Sequence, residues 1–235
     1  MYRRKASDEV HVVYSEETWR VFRELREKAR VALRCLDVLR IPVYVVGSVA
    51  RGDVTRKSDV DLFLERCVAP SYVTGLLEEC GFLVEKYEVI WASPQTAVKL
   101  VIHVEDNVKV TLPVTDLSPA EKEFPRFAGS VTSEDVDAGR RVAGVNKFLR
   151  FIEPTEDGHV EWSILGREEE VARRLGISLG TVLEREAMRM KRWARGKSGF
   201  LVHECLDPRL SPEDLLRRLA TRNQLLRKKL EGVMF

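Results

Sequence analysis

Side-chain amides are scarce in this 235-residue chain: Gln95, Gln224, Asn107, Asn146 and Asn223 are the full set. Depletion of heat-labile residues beside abundant Arg and Glu fits a thermophile, and biased base composition would give the same pattern. No run of about 18 apolar residues occurs, so no membrane-spanning helix is expected. The basic start Met1-Tyr2-Arg3-Arg4-Lys5 lacks a following apolar stretch. A secretory signal is thereby excluded, and the cytoplasm is expected. Cys35, Cys67, Cys80 and Cys205 show no metal-ligand spacing and read as free thiols. Net charge is only +2, which gives no global argument for a nucleic-acid partner.

What is present suits one medium domain with an appendage, or two small domains. The apolar fraction of 44% is enough for a real core. Ser15 can cap a helix with Glu16 and Glu17 in its first turn and Trp19, Phe22, Ala29, Leu33 and Leu36 along one face. Pro42 to Val46 and Val60 to Leu64 read as strands, and Ser71 to Cys80 as a helix closed by Gly81. Three more strands follow at Phe82 to Trp91, Ala97 to Val104 and Val108 to Val114, the last two joined by a turn at Asp106-Asn107. Asp135 to Ile152 is expected as a helix and Pro154-Thr155-Glu156-Asp157-Gly158 as a linker.

Gly47 ends an apolar strand and Ser48 opens the turn after it. A triphosphate needs backbone N–H groups with no side chain in the way, and this pair offers that geometry, as ordinary turns also do. Ten residues separate Ser48 from Asp59. Asp59 and Asp61 stand at i and i+2 in a strand, so both carboxylates share one face while Val60, Leu62 and Leu64 point to the core. Two adjacent acids on an apolar strand are costly unless a cation neutralises them. That cation is Mg²⁺ (or Mn²⁺), which prefers one or two carboxylates plus phosphate oxygens, or else it is Arg51, Arg56 or Lys57.

Gly47-Ser48-x10-Asp59-x-Asp61 resembles the signature of the DNA polymerase β-like nucleotidyltransferase superfamily. The fuller strings Gly47-Ser48-Val49-Ala50-Arg51-Gly52-Asp53 and Ser58-Asp59-Val60-Asp61-Leu62 resemble its minimal nucleotidyltransferases and the catalytic domain of archaeal CCA-adding enzymes. The resemblance covers about residues 15 to 116. It implies an α+β fold, a mixed sheet with flanking helices. It also implies Mg²⁺-dependent transfer from a nucleoside triphosphate, with Asp59 and Asp61 as catalytic metal ligands. Gly47, Ser48, Arg51, Lys57 and Ser58 become the candidate nucleotide contacts. Residues 1–117 are then the nucleotidyltransferase domain, 118–158 a connector of loop, helix and linker, and 159–235 a helical unit. The chain is too short for a complete CCA-adding enzyme, so tRNA repair is not expected.

The family supplies a third carboxylate from a later strand, three residues before a proline in the archaeal enzymes. Pro113 is present, and the corresponding position is Val110, which cannot bind a metal or accept a proton. Asp106, Glu105, Asp116 and Glu88 are the candidate substitutes. Each of the first three needs a register shift, which turns side chains to the other face. Two readings stay open: a transferase acting on a nucleic-acid or protein acceptor, and a degenerate member that binds nucleotide or nucleic acid in a regulatory role.

Glu168 to Leu175, Gly176-Ile177-Ser178 and Leu179 to Trp193 read as helix, turn, helix, with Ala172 and Val182 at the joint. This resembles a helix-turn-helix motif, with Arg185, Arg189 and Arg192 as candidate nucleic-acid contacts and Gly196-Lys197-Ser198-Gly199 as the tip of a wing. Glu184 and Glu186 on the same helix oppose that reading. Ser211 to Leu230 is expected as a capped final helix.

Overall fold

A computed structural model describes residues 9–195 and 199–233. The wing tip expected at 196–199 lies mostly outside them. In chain order the strands are β1 (Val10–Val13), β2 (Val43–Val46), β3 (Val60–Leu64), β4 (Val84–Trp91), β5 (Lys99–Val104), β6 (Val108–Pro113), β7 (Ser130–Val131), β8 (Gly144–Val145), β9 (Arg150–Pro154), β10 (Gly158–Ser163) and β11 (Val202–Leu206). The helices are α1 (Glu16–Leu36), α2 (Ser48–Arg51), α3 (Pro70–Glu79), α4 (Pro119–Ala128), α5 (Ser133–Asp137), α6 (Glu168–Leu175), α7 (Leu179–Arg195), α8 (Pro212–Arg222) and α9 (Gln224–Leu230).

The larger sheet has the order β11-β4-β5-β6-β3-β2-β7 and is mixed: β3 and β6 run parallel, while its other neighbours are antiparallel. A smaller antiparallel sheet has the order β1-β10-β9-β8. Alternation along the strands sends Val60, Leu62, Leu64, Val108, Val110 and Leu112 to one face of the large sheet, where they are buried. That face packs against α1, α3, α8 and α9 in one apolar cluster. Burying a leucine fully contributes about 1.5–3 kcal/mol, so Leu33, Leu36, Leu62 and Leu77 anchor this layer. The other face is covered at one end by Phe124 of α4 against Phe63 and Ala97. Its remaining end carries Asp61, Lys109 and His103.

Several elements depart from the sequence reading. The helix expected over 135–152 is only α5, followed by β8 and β9. Gly139 takes a φ of 67° after α5, and Leu149 a φ of 57° before β9, both incompatible with a continuing helix. A Cβ on Gly144 would lie 2.4 Å from the Gly129 nitrogen, so the chain crosses itself there only because that residue is glycine. The expected linker around Thr155 and Asp157 is the turn joining β9 to β10, closed by a Thr155 N–H donating to the Gly158 carbonyl at 3.0 Å. Elements on either side of the boundaries at 117 and 158 also pair: β1 with β10, and β11 with β4. The final helix breaks at Asn223, which ends α8 and caps α9.

The cysteines need a correction too. Cys35 at the end of α1 and Cys80 after α3 form a disulfide with a Cα separation of 6.2 Å. Only Cys67 and Cys205 are free. A sequence separation of 45 residues gives no hint of this pair, which depends on α1 packing beside α3. Among the described residues no helix is long and apolar enough to cross a membrane.

One buried side chain ties α1 to the turn that follows β2. Arg26 donates from Nε to the Val49 carbonyl at 2.8 Å, and from Nη2 to Ala50 at 3.1 Å and Arg140 at 2.7 Å. Burial, with Arg141 nearby, lowers its pKa to about 10. Replacing it strands carbonyls that α2 cannot satisfy within its own four residues. Arg26→Met should therefore cost about 2–4 kcal/mol in urea unfolding. A loss below about 1 kcal/mol would show that water takes over the carbonyls.

Candidate functional site

β2 delivers the chain to Gly47, whose φ of 81° and ψ of −143° suit glycine alone. Its N–H donates to the Gly129 carbonyl at 3.0 Å, and its own carbonyl accepts from Ala50 and Arg51 N–H at 3.1 and 3.0 Å. Ser48 and Val49 then occupy the first positions of α2, where backbone N–H groups have no acceptor within the helix. A Cβ on Gly47 would meet nothing within 4 Å, so the space over the turn is open.

The register of β2 on β3 pairs Val46 with Asp61. The turn and the acids, separate in sequence, are thus neighbours. β3 on β6 pairs Asp61 with Lys109 and Leu62 with Val110. Val110 is therefore a core residue, completely buried among the apolar side chains of the other face. The position facing Asp59 and Asp61 from β6 belongs to Lys109. Its ammonium is ion-paired with Asp59 Oδ2. Val110, counted from Pro113, thus faces away from the acids, and one residue is the difference between the two faces of a strand.

Burial raises the Asp61 pKa above the ordinary carboxylate value, opposed by Lys109, reinforced by Asp59 and opposed again by His103. The same strip of sheet continues outward. His103 of β5 lies opposite Lys109, and its Nε2 is 2.8 Å from Glu88 Oε2 on β4. His203 Nε2 of β11 lies 2.5 Å from Glu88 Oε1. The hydrogen bond from His103 comes first among the causes that hold Glu88 down to about 2, against burial and with help from His203.

None of the four substitute acids joins Asp59 and Asp61. Asp106 has a φ of 63° in the β5–β6 turn and pairs with Lys28 at 2.8 Å. Glu105 belongs to the same turn. Asp116 is exposed beyond the far end of β6. Glu88 is three strands from Asp61, about 14 Å across the sheet. Among the described residues no group of three His, Cys, Asp or Glu side chains is arranged to hold a metal. Asp59 and Asp61 have the donor chemistry for one Mg²⁺, but an ammonium rests where a cation would bind Asp59. The residues present do not fit a two-metal centre.

The basic nucleotide candidates divide. Arg51 is buried below the turn, its guanidinium held by Asp53 at 2.9 Å and by the Ala128 carbonyl. It supports the loop from beneath. Lys57 is exposed in the turn before β3, and Ser58 Oγ accepts from Thr55 N–H at 2.9 Å.

Of the three arginines of α7, Arg185 packs on α4. Arg185 sits 4.9 Å over the Phe124 ring and donates to the Ala120 carbonyl at 3.4 Å. Burial lowers its pKa and that of Arg189. Arg192 lies 5.0 Å over Phe200, and Glu88 acts on it electrostatically. Gly176 closes α6 in the left-handed conformation, and Ala172, Ile177 and Val182 pack in one cluster. A close helical hairpin is thus formed, with Arg185 committed to the protein interior.

Sequence reasoning missed Lys109, His103 and His203. Alternation could have found Lys109, since it stands between Val108 and Val110 in a strand whose apolar positions face inward. The two histidines meet only through strand order, which no spacing records.

Residues 16–66 match a family model described as a nucleotidyltransferase domain. No curated protein and no solved structure matches the chain. The match takes in α1, the Gly47-Ser48 turn and both acids, and it ends before Lys109. Over that segment the match is consistent with a polymerase β-like nucleotidyltransferase domain, whose general reaction is nucleotidyl transfer from a nucleotide substrate.

The Glu88 bridge generates a pH prediction. A carboxyl ordinarily at 4.5 and held at about 2 when folded adds stability that is present above 4.5 and lost as pH falls towards 2. Glu88→Gln should flatten the melting temperature between those limits relative to the parent protein. Parallel curves in a calorimetric pH series would remove the bridge as its source.

Proposed function

We propose that this chain is a receptor for a nucleoside triphosphate built on the nucleotidyltransferase fold, with a regulatory role and without two-metal transfer. The carrying observation is Lys109, which stands on the site face of β6, ion-paired with Asp59. The family's third carboxylate receives the proton of the attacking hydroxyl, and an ammonium paired with an acid has no basic lone pair to do so. Binding keeps its support. The Gly47-Ser48 turn leaves open space beside Asp61, and the N–H groups of Ser48 and Val49 face the start of α2. Lys57, exposed ahead of β3, is placed to neutralise an outer phosphate.

A second reading, nucleotidyl transfer to RNA, DNA or a partner protein with Mg²⁺ or Mn²⁺, draws on the retention of both Asp59 and Asp61. On either reading, contact with nucleic acid falls to Arg189 and the exposed Arg192, because Arg185 is held over Phe124 and also donates to the Ala120 carbonyl. Incubation with α-labelled nucleoside triphosphates, total RNA and lysate separates the two readings. The receptor reading expects saturable nucleotide binding and no label on any acceptor. Label transfer that disappears in Asp59→Ala and Asp61→Ala would establish the transferase.

Gly47→Val gives a sharper check on the binding site. A β-branched residue at this φ and ψ costs about 1–3 kcal/mol of strain and shields the turn. Nucleotide affinity should fall by about tenfold or more, measured by titration calorimetry on protein whose melt confirms folding. Unchanged affinity would place the nucleotide elsewhere.

A further inference from the structure

We infer that Lys109 is the resident cation of the acid pair, so that the triphosphate enters this site without a divalent ion. The inference rests on the reading that a nucleoside triphosphate binds at the Gly47-Ser48 turn. Parallel pairing of β3 with β6 sets Lys109 directly beside Asp61. Its side chain and that of Asp59 are each about one-third exposed, at 30% and 33%, so the pair is open to solvent on one side only. One ammonium thus pairs with Asp59 and stands beside Asp61.

An ammonium carries three donors, and the contact with Asp59 uses one. The other two remain for phosphate oxygens arriving over the turn. A divalent ion entering between Asp59 and Asp61 would meet a like charge within ion-pair distance, in a half-buried setting where solvent screens poorly. His103 on the next strand, hydrogen-bonded to Glu88, adds no carboxylate to offset it. The donor set therefore favours a metal-free polyphosphate over a metal-bound one.

Titration calorimetry of the full chain with ATP, GTP, CTP and UTP, in EDTA and again in excess Mg²⁺, tests this. The parent protein should bind at least one nucleotide in EDTA, and bind it more weakly in excess Mg²⁺, which turns the free nucleotide into its magnesium complex. Lys109→Ala should lose about tenfold in EDTA and recover in Mg²⁺, because the freed acids can now take the ion. Mn²⁺ added alone should bind Lys109→Ala and not the parent. Lys109→Arg, which keeps the charge, should retain metal-free binding and serves as the readout if the alanine variant does not fold. Parent binding that requires Mg²⁺ overturns the inference while leaving the triphosphate reading intact. No binding of any nucleotide in either buffer overturns both.

Discussion

The parallel pairing of β3 with β6 is the constraint on which the site depends. A parallel ladder admits no sliding by a single residue where one face is buried, because every apolar side chain would turn outward. With Leu62 set against Val110 in the core, Asp61 must lie against Lys109 on the open face. The antiparallel pairing of β2 on the other edge then brings the Gly47 turn beside Asp61. Three chemically distinct parts, a backbone turn, two carboxylates and an ammonium, are assembled by the packing of aliphatic residues on the opposite side of the sheet.

The turn itself is held by charge buried behind it. Arg26 reaches from α1 to the carbonyls of α2, and Arg51 leaves α2 for Asp53 and the Ala128 carbonyl. Arg26 satisfies backbone groups that a four-residue helix cannot satisfy alone, and Arg51 ties that helix to Asp53 and the end of α4. They also explain why a basic residue within a phosphate-binding signature need not touch phosphate. Position in the motif and direction of the side chain are separate facts, and only the second decides which partner the cation finds.

Much of the N-terminal sheet was legible in the sequence, because its strands alternate cleanly and their turns carry Asp and Asn. The Gly47-Ser48 turn and the Asp59-x-Asp61 spacing were legible for a similar reason: both are local. What escaped was non-local or off by one. Lys109 was hidden by counting from Pro113 instead of following the alternation of Val108, Val110 and Leu112. The β8–β9 segment looked helical until the close contact at Gly144 and the pairing with β10 were in place. β11 sits in a charged, turn-rich stretch with little periodicity, and only its pairing with β4 makes it a strand.

The disulfide between Cys35 and Cys80 has a topological meaning beyond joining α1 to α3. Residues 47, 48, 59 and 61 all fall between its two ends, so the closed bond makes a covalent ring of the segment that holds the turn and both acids. Cutting that segment once would open the ring without releasing either part. Lys109 lies outside the ring. Two components of the site therefore travel on one loop of chain, while the third arrives from a separate strand and meets them only when β6 docks.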